Sequence, residues 1–140
     1  MYQDLVLATD GSGAADRAAE HALSLAAQLE ATLHVVSVAE DGPHSAEKRD
    51  EMRSDLEGEA AEAVTEVERA AREAGVEVTT QVLEGVAQEA IVDFAERNAV
   101  DLLVVGTAAR SGLDELLAGS VAEEVIETAP VPVVTVRADI

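Results

Sequence analysis

Residues 5–13 read Leu5-Val6-Leu7-Ala8-Thr9-Asp10-Gly11-Ser12-Gly13, an unbroken apolar run that stops in a turn-forming tetrad. Consecutive apolar residues suit a strand covered on both faces, as in the middle of a parallel sheet, better than a half-exposed strand, which alternates. Asp-Gly-Ser-Gly supplies the turn, because Asp and Ser bond their own backbone and Gly tolerates the turn's dihedrals. From about Ala14 to Glu30 the residues Ala18, Ala22, Leu25 and Leu29 recur at helical spacing, which predicts a helix with one stripe on the core. A second strand, Leu33-His34-Val35-Val36-Ser37-Val38, follows.

The alternation continues outward from this opening. Asp41-Gly42-Pro43 breaks the chain, and a long helical pattern runs from about Ser45 to Ala74, with Leu56, Ala60, Ala63, Val67 and Ala70 inward. Gly58 weakens its middle by roughly 1 kcal/mol relative to Ala. Gly75 is placed to cap the helix, and Val76 to Leu83 alternates as a third strand, at an edge. After Gly85 a helix carries Ala87, Ala90, Ile91 and Phe94 on one face and leads to the strand Leu102-Leu103-Val104-Val105. A loop from Gly106 reaches a last helix, expected around Ser120 to Thr128, and the chain closes with the strand Val133-Val134-Thr135-Val136. Strands alternating with helices predict a Rossmann-like α/β fold: a doubly wound, open, five-stranded parallel sheet with helices on both faces. No repeat or linker interrupts residues 1–140, so a single domain is expected. In such sheets ligands sit outside the carboxyl ends of the strands where the strand order reverses, which directs attention to the loops after the first and fourth strands.

Composition narrows the function classes. Twenty-nine acidic residues against nine basic ones give a formal charge of −20, which repels nucleic-acid phosphates and anionic lipid, so neither nucleic acid nor membrane is an expected partner. With no cysteine the chain has no disulfide, thiol nucleophile or Cys-ligated metal. The opening MYQDLVLATDG has no basic segment followed by an apolar one, and no stretch approaches the roughly 18 uncharged apolar residues of a membrane span. A soluble, cytoplasmic protein is expected. At 48% hydrophobic residues this is a folded domain with an acidic skin, not a disordered tail. Eight of the nine basic residues are Arg, with Lys48 the single lysine, a pattern that resembles halophilic cytoplasmic proteins. In molar salt the Debye length falls to about 3 Å and the surface repulsion is screened.

Chemistry concentrates in Gly106-Thr107-Ala108-Ala109-Arg110-Ser111-Gly112 and the following Leu113-Asp114-Glu115-Leu116-Leu117-Ala118-Gly119-Ser120. Glycines that let backbone N–H groups approach, the cationic Arg110, hydroxyls on Thr107, Ser111 and Ser120, and a helix N-terminus are what a phosphate requires. Ser120 with Glu123 also fits a capping box. Other constellations fail on spacing. Asp10-Gly11-Ser12-Gly13-Ala14-Ala15-Asp16 offers Gly-x-Gly-x-x-Asp where a dinucleotide fingerprint needs a third glycine. A phosphoacceptor receiver needs a lysine near the fifth strand, and Lys48 is far from it. His21, His34 and His44 lack ligand spacing and read as surface or packing residues. Glu57, Glu59, Glu62, Glu66 and Glu68 read as a solvated helix face, Phe94 as core, and Tyr2 as a residue for a subunit contact.

Gly106, two residues, position 109, nine residues, then Gly119-Ser120 resembles the nucleotide-binding signature of the universal stress protein family, Gly-x2-Gly-x9-Gly-Ser/Thr. The resemblance extends to the Ala-Thr-Asp-Gly-Ser that ends the first strand, the Leu-His-Val-Val second strand, Gly85, and the closing Gly-Ser-Val-Ala-Glu-x-Val-Ile before Pro-Val-Pro-Val-Val. It implies the adenine nucleotide alpha hydrolase-like superfamily, strand order 3-2-1-4-5, and a site for ATP or a related adenine nucleotide, with Mg2+ as a companion. By position it assigns the phosphates to Gly106, Gly119, Ser120 and Val121 within a loop that includes Thr107, Ala109 and Arg110. Asp10 is assigned to the adenosine and Val35 to a place against adenine, with Ala8 and Thr9 counted among the nucleotide-binding residues. It further implies homodimers through the last strand, Val133 to Val136, and a nucleotide-dependent stress-response switch serving an unknown protein partner. Catalysis is not expected beyond slow ATP hydrolysis in the family manner, because no residue is placed as a general base. One position departs from the pattern: Ala109 stands where the signature has its second glycine. If that glycine is left-handed, alanine costs roughly 1–2 kcal/mol, or about a ten- to thirtyfold loss of affinity. Ala109 therefore also supports an alternative, a dimeric interaction module that binds no nucleotide.

Overall fold

The computed structural model describes residues 2–10, 13–39, 46–107 and 113–137. In chain order its elements are β1 (Asp4–Ala8), α1 (Gly13–Leu29), β2 (Thr32–Ala39), α2 (Ala46–Glu73), β3 (Val78–Glu84), α3 (Ala87–Arg97), β4 (Leu102–Thr107), α4 (Leu113–Thr128) and β5 (Val133–Arg137). The strands form one sheet in the order β3-β2-β1-β4-β5, every neighbouring pair parallel. This is the expected doubly wound α/β fold with β3 and β5 at the edges.

The continuous apolar runs are explained by two separate cores. Side chains alternate across a strand. Leu5, Leu7, Leu33, Val35, Leu102 and Val104 therefore join the α1 residues Ala18, Ala22 and Ala26 and the α2 residues Val64, Val67 and Ala71. Val6, Val36, Leu103 and Val105 join Ile91 and Phe94 of α3 and Ala122 and Val125 of α4 on the opposite face. Both faces of the central strands are thus buried. The α1 stripe consists of Ala15, Ala18, Ala19, Ala22 and Ala26, while Leu25 is half-buried and Leu29, expected in the core, is 42% exposed. Tyr2 packs on the core as a half-buried side chain.

Helices α1, α2 and α3 end by one device. Glu30, Gly75 and Ala99 take the left-handed conformation, with φ of 54°, 74° and 50°. In each case the next N–H donates back to a carbonyl five residues earlier: Ala31 to Ala26 at 2.9 Å, Val76 to Ala71 at 2.9 Å and Val100 to Ala95 at 3.3 Å. Those three donors belong to buried apolar residues, which completes the Schellman arrangement. Only the middle one uses glycine, so Glu30 and Ala99 each carry roughly 1–2 kcal/mol of strain that the cap and the buried following residue offset. The device also explains why β3 starts at Val78 when alternation predicts Val76: the Val76 amide is committed to the cap.

At the amino ends of the strands, side chains tie elements that are distant in sequence. Asp101 Oδ2 accepts from the backbone N–H groups of Gln3 at 2.8 Å and Asp4 at 2.9 Å, and the Asp101 N–H donates to the Asp4 carbonyl at 2.8 Å. Across the next strands His34 Nε2 lies 3.0 Å from Asp4 Oδ1 and its Nδ1 lies 2.7 Å from Thr79 Oγ1, linking β1, β2 and β3. The hydrogen bonds from Gln3 and then Asp4 hold the Asp101 carboxyl below its usual range. Because the folded form releases this proton more readily, Asp101 stabilises the fold above the unfolded carboxyl range of about pH 4. That contribution is lost as pH falls through the folded value. Thermal midpoints recorded from pH 6 to pH 3 are expected to fall less steeply for Asp101→Asn than for the parent chain; parallel curves would contradict this role. Among the described residues no helix is long and apolar enough to cross a membrane.

Candidate functional site

The strand order reverses between β1 and β4. The chain leaves β1 for α1 on one face and leaves β4 for α4 on the other, which opens a crevice above the carboxyl ends of these two strands. Ala8 pairs in register with Val105, so Thr9 and Asp10 emerge from β1 where Gly106 and Thr107 extend β4. Thr9 donates its backbone N–H to the Val36 carbonyl of β2 at 2.9 Å and is almost wholly buried. The ladder thus holds the chain straight for one residue beyond β1. Asp10, next in line, is exposed. Ala8, Gly106 and Thr107 are half-buried, so a hydroxyl and open backbone face the crevice beside a carboxylate.

The site residues anticipated from sequence divide into groups. Ala8, Thr9, Asp10, Gly106 and Thr107 are brought together by the β1–β4 register. Ala109 and Arg110 lie outside the described residues. Gly119, Ser120 and Val121 belong to α4, which starts at Leu113 and not near Ser120 as expected. The reason is local: residues 113–118 are mostly good helix formers, and one helical glycine costs only about 1 kcal/mol relative to alanine. Ser120 therefore lies inside the helix, seven residues past its start, and not at the N-cap position that the capping box with Glu123 requires. At 1.5 Å of rise per residue Gly119 and Ser120 lie roughly 10 Å along the helix from its first residue. Val121 is half-buried and packs on the α3–α4 core. Val35 differs most from expectation, since it is fully buried in the α1–α2 core and offers a ligand no accessible surface here.

Sequence reasoning passed over one residue at this edge. Arg137 ends β5 and pairs in register with Thr107. Its signal was only a basic residue closing the last strand of an acidic chain. His34, read as a packing residue, takes that part through Asp4, Thr79 and a tilted contact with the Phe94 ring at 6.4 Å. His21 is exposed on α1, and His44 lies outside the described residues.

In a parallel doubly wound α/β sheet the switch point, where these polar groups gather, is the place at which such folds bind ligands. The sequence profile of the universal stress protein family matches residues 1–137, and the chain belongs to that family. It is 40% identical over 141 residues to universal stress protein MJ0531 of Methanocaldococcus jannaschii, covering 98% of this chain and 83% of the relative. Among solved structures it resembles a universal stress protein in complex with cAMP, at 25% identity and a TM-score of 0.73, covering 99% of each chain. It also superposes on universal stress protein UspA from Lactobacillus plantarum with a TM-score of 0.81 at 24% identity, covering 97% of this chain and 98% of that one.

Proposed function

We propose that this universal stress protein binds an adenine nucleotide, ATP first among them, in the crevice between β1 and β4 and acts as a nucleotide-dependent switch. The observation that carries the reading is that the exposed Asp10 follows β1 two residues beyond the Ala8–Val105 pair, while Gly106 and Thr107 extend β4 from the same pair at the strand-order reversal. Asp10 accepts hydrogen bonds from ribose hydroxyls, while Thr107 and the backbone from Gly106 onward donate to phosphate. Arg110 adds positive charge. Mg2+ carried by the phosphates would offset their repulsion with the Asp10 carboxylate. The solved relative in complex with cAMP supports an adenine nucleotide as the chemical class. Gly119, Ser120 and Val121 take part by repositioning the start of α4, which is the switch element: the helix answers the phosphates and alters a surface that a protein partner reads. Binding, not catalysis, is the activity. The protein works as a homodimer through β5, in a cytoplasm of high salt to which its acidic surface is suited.

A second reading is favoured by Ala109: a dimeric interaction module whose crevice takes no nucleotide. Ala109→Gly separates the two. It is expected to tighten ATP about tenfold in a titration if the crevice is a nucleotide site, and to leave an absence of binding unchanged if it is not.

A further inference from the structure

We infer that Arg137 reads the terminal phosphate of the ligand, making the site selective for a nucleoside triphosphate over the monophosphate; this rests on the crevice being a nucleotide site. Arg137 is the last residue of β5 and the register partner of Thr107. Paired residues of neighbouring strands project to the same face. Val133 packs on the α3–α4 side of the sheet, so Thr107 and Arg137, which share its alternation, project to that side, where α4 begins. The Arg137 side chain is exposed, and among the described residues it has no acidic partner. Among the described residues Arg72 and Arg97 each pair with a carboxylate one helical turn away, whereas Arg137, like the helix-surface Arg17 and Arg69, pairs with none; what sets Arg137 apart is its place at a strand's carboxyl end. A guanidinium left open at a strand's carboxyl end is a fork suited to phosphate oxygens.

Position along the sheet turns this into a ruler. From the switch point outward the strands run β1, β4, β5. Strands are spaced about 4.8 Å apart, so Asp10, Thr107 and Arg137 mark three successive steps across roughly 10 Å. With the ribose on Asp10, the first phosphate lies above Thr107, and only a longer phosphate chain reaches Arg137. A monophosphate ends one strand short.

The test measures ATP, ADP and AMP affinities by calorimetry at one fixed salt concentration for the parent chain, Arg137→Gln and Arg137→Lys. The parent is expected to bind ATP more tightly than AMP. Arg137→Gln is expected to weaken ATP about three- to tenfold and leave AMP unchanged, with Arg137→Lys recovering part of the loss. An unchanged ATP-to-AMP ratio in Arg137→Gln, or equal weakening of both, would overturn the role of Arg137 while the nucleotide site stands. A folded parent that binds none of the three nucleotides would overturn the site reading itself and this inference with it.

Discussion

Asp10→Ala is expected to weaken adenine-nucleotide binding by about ten- to a hundredfold and to leave the melting transition of the ligand-free protein nearly unchanged. The size follows from what is removed, since a hydrogen bond to a charged group contributes roughly 1.5–3 kcal/mol and each 1.4 kcal/mol is about a factor of ten. The selectivity follows from position. Asp10 lies two residues beyond the end of β1, is exposed, and belongs to neither core. Its neighbour Thr9 is anchored to β2 through the Val36 carbonyl, an anchor that does not involve the Asp10 side chain. Titration of both proteins with ATP, beside thermal melts of the same samples, checks the two halves of this expectation. Equal affinities would remove Asp10 from the site, and a collapsed melt would make it structural.

The second large effect concerns salt. A net charge of −20 spread over 140 residues repels itself, and the described ion pairs do little against it. Arg72 with Glu68 at 3.4 Å and Arg97 with Asp93 at 3.1 Å are both exposed pairs one helical turn apart. Pairs of that kind contribute only about 0.3–0.5 kcal/mol, so screening them sacrifices little. Raising KCl from about 0.1 M to the molar range shortens the Debye length from about 10 Å to about 3 Å and removes most of the repulsion. The thermal midpoint is expected to rise by on the order of 10 °C, corresponding to about 3 kcal/mol for a domain of this size. A flat or falling midpoint would mean that the carboxylates are compensated within the fold, and the high-salt setting proposed for this protein would lose its physical basis.

The fold was legible because its central strands are buried on both faces. Leu5 to Leu7 and Leu102 to Val105 read as continuous apolar runs for the physical reason that odd and even positions serve two different cores. The errors fall where one residue does two jobs. Val76 looks like strand by alternation but caps α2, and Leu29 has helical spacing but sits beside the left-handed Glu30 at the end of α1. Gly119 looks like a break and is carried inside α4 because its neighbours favour helix. Of the candidate site, the half built by the β1–β4 register was readable, since the turn residues after β1 and the glycine in β4 mark it. Arg137 was not, because it comes beside Thr107 only through the pairing of β5 with β4, a long-range relation that no local pattern announces. Asp101 was missed for the same reason: its ligands, the amides of Gln3 and Asp4, lie almost the whole chain away.

The central claim is that the crevice above β1 and β4 holds an adenine nucleotide. Its most direct test is calorimetric titration of the folded protein with ATP and Mg2+ in molar KCl, preceded by mass spectrometry of whatever small molecules the purified protein releases on denaturation. The account predicts co-purified adenine nucleotide, or saturable ATP binding at one site per chain with a dissociation constant below about 1 mM. A folded, empty protein that shows no heat of binding with ATP up to that concentration would contradict it and leave the dimeric interaction module as the reading.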